Sequence, residues 1–172
     1  MIKLIKNKIY IMNKNDVENF QFERNKRYLI ISISGYYETL ANFQISILYN
    51  DNIDIKFYLF DGVDKETKYY DLEKKKYYNL IPMKKDQAKD IANLIKKNYN
   101  KFDYVIVHCN AGISRSAGVV GAICKYLWND DSDVFDNEYF KPNMYVYNLL
   151  LNSFYEKKHR RSQLLKMLII MR

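Results

Sequence analysis

The chain has 172 residues, 48% of them hydrophobic, which suits one domain spanning the chain with a core that needs no disulfide or metal staple. Its net charge of +8 implies a basic surface, yet Lys74-Lys75-Lys76 and Lys157-Lys158-His159-Arg160-Arg161 are not interleaved with a nucleic-acid motif, so no obligatory nucleic-acid partner is expected. Two cysteines without paired spacing and no secretory leader point to a reducing compartment, by default the cytoplasm, and no apolar run reaches the roughly 18 residues of a membrane span.

In chain order, Met1 to Lys8 carries a cation at every second or third position. Lys8 to Met12 and Arg27 to Ser34, the latter closed by Gly35, read as strands, and the alternating Ile53 to Phe60 as a third. Gly62 to Leu80 is polar and rich in tyrosine and lysine, and reads as a long surface loop of the kind that often serves a site. From Pro82, a favourable first helical residue, Ala88, Ile91, Ala92, Ile95 and Tyr99 recur at helical spacing over Lys84 to Tyr99. Tyr104 to Val107 is a short buried strand, Ala117 to Trp128 an apolar helix, and Asn143 to Tyr155 a helix after Pro142. The tail from Glu156 to Arg172 is basic and then apolar, which fits core packing or helix continuation. There are no internal repeats. The order of strands and helices predicts an α/β domain with a central, mostly parallel sheet flanked by helices. In such sheets ligands bind beyond the carboxyl ends of the strands, where Cys109 falls.

The segment His108-Cys109-Asn110-Ala111-Gly112-Ile113-Ser114-Arg115-Ser116 places a thiol and a guanidinium at opposite ends of one loop between a strand and a helix. Unpaired N–H groups of a helix N-terminus and of the preceding loop converge there and cradle an anion. A thiol in that field favours its anionic, nucleophilic form, which makes Cys109 the candidate nucleophile. Arg115 has the planar fork that grips two phosphoryl oxygens and stabilises transition-state charge. Gly112 supplies the φ freedom that turns the loop's N–H groups inward.

Cys, five residues, then Arg, preceded by His and followed by Ser, resembles the signature loop of the protein tyrosine phosphatase superfamily. The inner Ala-Gly-x-Ser-Arg-Ser is most similar to the dual-specificity branch. The likeness is specific over Tyr104 to Trp128 and looser elsewhere. It implies a dual-specificity-type fold, a phosphocysteine intermediate without metal or other cofactor, and phosphate binding by Asn110, Ala111, Gly112, Ile113, Ser114 and Arg115. It also implies that Ser116 hydrogen-bonds the sulfur and helps it leave, and that His108 lies buried behind the loop as support. Ser116 also suits a helix cap. The set of histidines, His108 and His159, is too sparse for a metal site.

The leaving oxygen needs a proton and the second step an activated water, and one carboxylate can serve both. The resemblance places that acid on a loop after an upstream strand, where Asp61 fits best, with Asp64 and Asp71 as alternatives. The stretch from Asp61 to Cys109 is longer than in compact family members. Cys124 falls at an apolar helical position and reads as core. The implied substrate is a phosphorylated protein, with phosphotyrosine and also phosphoserine or phosphothreonine within reach. A phosphoinositide or RNA 5′-phosphate substrate, or a catalytically weak phosphate-binding module, are the alternatives. Lipid-directed relatives tend to carry lysines inside the loop, whereas Asn110, Ala111, Ile113 and Ser114 are uncharged.

Overall fold

Strands buried on both faces persist only inside a layered fold, where helices cover each side. The computed structural model of the protein describes residues 2–41, 48 and 50–156. Five strands form its main sheet: β1 (Lys3–Ile5), β2 (Ile9–Met12), β3 (Tyr28–Ser34), β4 (Ile53–Leu59) and β7 (Tyr104–His108). Their spatial order is β1-β2-β7-β3-β4, with β1 antiparallel at one edge and the other four parallel. The expected mostly parallel α/β architecture is therefore present.

Side-chain alternation splits the core in two. Leu29, Ile31 and Ile33 of β3 and Val105 and Val107 of β7 face the larger core, whereas Tyr28, Ile30 and Ile106 face the smaller one. Helices α2 (Lys85–Asn98), α3 (Arg115–Trp128) and α5 (Met144–Tyr155) close the larger side. The short α1 (Lys14–Glu18) contributes Val17 to the other, joined by Phe20 and Phe22. On α2 the residues Ala88, Ile91, Ala92 and Ile95 are buried, as their spacing requires, and each isoleucine contributes roughly 2 kcal/mol. In α3 every residue from Arg115 to Cys124 is buried. Gly118 lets α3 approach the start of α5, since a Cβ there would sit 2.7 Å from the Asn143 carbonyl oxygen. The short α4 (Ser132–Phe135) lies between α3 and α5.

Parallel pairing aligns the strand ends. Met12 and Ser32 both pair with His108, and Ser34 with Leu59. Asn13, Gly35, Phe60 and Cys109 therefore emerge along one edge of the sheet.

Two expectations need correction, and one strand lies where no element was assigned. Gly62 to Leu80 is not an open loop: β5 (Thr67–Asp71) and β6 (Lys76–Leu80) pair as a separate antiparallel hairpin. Its turn has neither Gly nor Pro; Asp71 Oδ1 accepts the N–H groups of Glu73 and Lys74, and Lys75 takes φ 48°. Met1 to Lys8 hides β1, which reaches β2 through Lys6 and Asn7 at positive φ. Pro82 does not start α2, because the helix begins after Lys84, whose N–H donates to Gln87 Oε1 at 2.8 Å. The tail reading from Glu156 onward, His159 included, lies outside the described residues beyond Glu156 itself. No helix among the described residues is long and apolar enough to cross a membrane.

Candidate active site

The loop from Cys109 to Ser114 is held by its carbonyls. The Asn110 carbonyl accepts from Lys14 N at 3.1 Å, the Ile113 carbonyl from Lys141 N at 3.1 Å, and the Ser114 carbonyl from Gly118 N at 2.9 Å and Asn143 N at 3.1 Å. Among the described residues, no backbone N–H from Asn110 to Arg115 donates in these loop contacts. Peptide planes whose oxygens are bonded outward direct their N–H groups the other way, toward the loop's centre. Gly112 makes this turn at φ 70°, and a Cβ on it would stand 2.7 Å from the backbone of Met12 and Asn13. Both the conformation and the space exclude a side chain there. Ser114, the residue before α3, makes no side-chain cap, so the helix's first N–H groups are not taken by it.

Cys109 is 2% exposed, and its Sγ lies 3.2 Å from Ser116 Oγ. Ser116 thus turns its hydroxyl to the sulfur rather than capping the helix. Behind the loop, His108 Nε2 shares a 2.8 Å hydrogen bond with Ser32 Oγ on the neighbouring strand. Burial pushes its pKa down to about 4, partly offset by the Cys109 backbone, so this imidazole is neutral at pH 7. Cys124 is enclosed in the core, where burial raises its thiol pKa to about 12.

Arg115 is anchored from two sides. Its Nη2 donates to both carboxylate oxygens of Glu38, at 2.7 and 2.9 Å, and Nη1 donates to the Phe60 carbonyl at 3.2 Å. Glu38 is tied back by Gly35 N–H at 2.7 Å. Burial pulls the Glu38 carboxyl upward, but the hydrogen bonds from Arg115 and Gly35 and the charges of Arg115 and Lys14 outweigh it, leaving its pKa below the ordinary value. Nothing in the local sequence of the Gly35 to Leu40 turn singles out Glu38; only tertiary structure brings it to Arg115.

Asp61 follows β4, buried beside this pair. Its backbone N–H donates to the Ile81 carbonyl at 2.7 Å, and its Oδ2 accepts from Ile81 N at 2.8 Å. The other oxygen, Oδ1, faces Gly35, where an added Cβ would come within 2.3 Å. Asp64 stands exposed further along the same loop, and Asp71 is committed to the hairpin turn. Asn143, read in the sequence only as the first residue of a helix, joins three elements. Its N–H binds the loop at Ser114, its Nδ2 donates to the Gly62 carbonyl at 3.0 Å, and its Oδ1 caps α5 through Val146 N at 3.0 Å.

No family model matches the sequence, and no curated protein matches it. Solved structures do. The chain superposes on DUSP15 with a TM-score of 0.60 and 20% identity, covering 96% of this chain and 95% of that one. The human tyrosine phosphatase-like serine/threonine/tyrosine-interacting protein gives 0.60 at 15% identity, covering 87% and 92%. PTPMT1 in complex with PI(5)P gives 0.60 at 15%, covering 93% and 98%. The fold is that of the dual-specificity phosphatases of the protein tyrosine phosphatase superfamily.

Two outcomes follow from this geometry. His108 must gain a proton on unfolding in acid, so the stability it contributes is complete above its unfolded pKa of about 6.5 and is lost as pH falls toward 4. Each pKa unit is worth about 1.4 kcal/mol, so the loss is on the order of 3 kcal/mol. Denaturant titrations from pH 7 to 4 will show this slope in wild type and a flatter one in His108→Gln. Asn143→Ser keeps a capping oxygen and the backbone N–H but removes the donor to Gly62. Its global stability is expected to stay within about 1 kcal/mol of wild type. Hydrogen exchange of the amides around Gly62 is expected to accelerate, and unchanged exchange there would show that the Asn143 bond does not hold the loop.

Proposed function

We propose that the protein hydrolyses phosphomonoesters through a phosphocysteine on Cys109, with phosphorylated proteins as substrates. The observation that carries this is the 3.2 Å approach of Cys109 Sγ to Ser116 Oγ, in the first turn of the helix that Arg115 opens. Two free cysteines fit a chain working in a reducing compartment such as the cytoplasm.

In the first step the Cys109 sulfur attacks phosphorus in line with the ester oxygen. A P–S bond forms, the P–O ester bond breaks with its electron pair going to oxygen, and that oxygen takes a proton from Asp61. Loop N–H groups from Asn110 to Arg115 and the Arg115 guanidinium hold the equatorial oxygens and stabilise their charge. Arg115 has five N–H donors, of which Glu38 and Phe60 engage those on Nη2 and one on Nη1, so Nε–H and the second Nη1–H remain for phosphoryl oxygens. In the second step Asp61 takes a proton from water, the water oxygen attacks phosphorus, and the P–S pair returns to sulfur, which the Ser116 hydroxyl stabilises. The fixed Ile81 bond to Asp61 Oδ2 leaves Oδ1 as the oxygen that exchanges the proton.

Phosphotyrosyl and phosphothreonyl peptides, phosphoinositides and 5′-phosphorylated RNA, assayed in parallel, test the substrate class. PTPMT1 was solved with PI(5)P, which keeps the lipid arm in the panel. Cys109→Ser is expected to abolish turnover of every active substrate while retaining phosphate binding, measured by calorimetry. Turnover near wild type in that variant rules out the phosphocysteine route.

Asp61→Asn keeps an acceptor for Ile81 N–H but cannot donate the proton. General acid catalysis is worth roughly 10²–10⁴-fold, so the variant is expected to slow phosphotyrosine hydrolysis by about that factor and p-nitrophenyl phosphate far less. The exposed Asp64 is the second candidate on the same loop. If Asp64→Asn shows this leaving-group dependence and Asp61→Asn does not, the acid is Asp64.

A further inference from the structure

The β5–β6 hairpin is a separate two-stranded sheet among the described residues, and such a ribbon is marginal without support. Its support comes from the catalytic elements. Ile81, just after β6, exchanges two hydrogen bonds with Asp61. Asn79 N donates to the Tyr37 hydroxyl at 3.3 Å, and the Tyr37 and Tyr78 rings meet at 4.4 Å. Tyr37 precedes Glu38, the partner of Arg115. Strand alternation places Tyr70 and Tyr77 on the face opposite Tyr78, paired across the ribbon with ring centroids 4.7 Å apart. That face is open: Tyr77 is 69% exposed and Tyr70 40%, while Leu72 at the turn is 81% exposed. At the base of the ribbon lies a groove of about 440 Å³ lined by Glu66, Thr67, Lys68, Asn79 and Ile81, the residue bonded to Asp61.

We propose that this outer face docks the polypeptide flanking the phosphorylated residue of a protein substrate. The proposal rests on the phosphatase reading and adds where its selectivity resides. Three features favour a polypeptide over a nucleic acid. The outer edges of the ribbon offer main-chain groups that pair with an extended peptide. Between Gly62 and Leu80, five lysines stand against four carboxylates, a mixed field that suits a peptide and opposes a continuous phosphate backbone. Exposed tyrosines provide rigid amphipathic contact area for polypeptides. At about 3.3 Å per residue, the five residues of β5 span roughly 17 Å, so the platform reads about five residues beyond the phosphoresidue.

The test uses the full chain and a Tyr70→Ser/Tyr77→Ser variant. Substrates are p-nitrophenyl phosphate, a phosphotyrosyl peptide library with five randomised residues on each side, the same library cut to one, and a 5′-phosphorylated oligonucleotide. Wild type is expected to prefer the long library. The variant is expected to lose about tenfold in kcat/KM on it, through KM, while the short library and p-nitrophenyl phosphate stay within about twofold. Equal rates on long and short libraries in wild type, or equal losses on both in the variant, overturn the platform. A tyrosine-dependent preference for the oligonucleotide also overturns it in favour of nucleic acid. Failure of wild type to turn over p-nitrophenyl phosphate strikes the phosphatase reading instead. Fluorescence anisotropy of the labelled long library still reads the platform, and equal binding by wild type and variant rejects it.

Discussion

The outward bonding of the loop carbonyls between β7 and α3 is the constraint on which the site depends. A chain that gathers N–H groups at one point must send its carbonyls elsewhere, and each buried one needs a donor. Here the donors come from Lys14 after β2 and from Lys141 and Asn143 before α5, elements remote in sequence from the loop. Each bond contributes on the order of 1 kcal/mol net, which is modest for stability. Its larger effect is preorganisation: the dipoles converge on one point in advance, so on the proposed reading little reorganisation accompanies phosphoryl transfer. Gly112 is the point at which this breaks first, because its backbone presses against Met12 and Asn13.

Arg115 shows how the cation is kept in place without being neutralised out of use. A buried guanidinium without partners carries a large desolvation cost. Glu38 and the Phe60 carbonyl relieve it and fix the plane of the fork. Glu38 is also an anion beside a site built for anions. On the proposed reading a bound phosphoryl group and the Glu38 carboxylate would share one guanidinium, so Glu38 would trade some phosphate affinity for orientation. The same loop carries Tyr37, which ties that balance to the hairpin.

What the sequence revealed depended on how local the signal was. The isoleucine and valine runs of β2, β3 and β7 and the helical period of α2 are written in adjacent residues, and these elements lie where their patterns placed them. Cys109, Arg115 and Ser116 were legible because one loop holds all three. The β5–β6 hairpin was not, because its tyrosines and lysines read as polar loop and its turn uses Asp71 and a left-handed Lys75 instead of Gly. β1 was hidden because it is only three residues long and Lys3, Lys6 and Lys8 interrupt the apolar pattern around it. Glu38 and the Gly62 bond of Asn143 were beyond reach, since each acts only across tertiary contacts between segments far apart in the chain.

Identities of 15–20% to the solved structures carry the layout of the sheet and nothing about the substrate. The proposed chemistry and the proposed selectivity also occupy different parts of this chain. In the proposed mechanism the loop, Arg115 and the strand ends supply the reaction, and their positions follow from the sheet. The hairpin sits between Asp61 and α2, outside the main sheet, where its sequence can vary without disturbing any strand that places Cys109. Yet the paired bonds between Asp61 and Ile81 tie the hairpin's base directly to the candidate acid. On the proposed reading, a substrate held on the ribbon bears on the carboxylate that would protonate its leaving group, which would couple what is recognised to how readily it is cleaved.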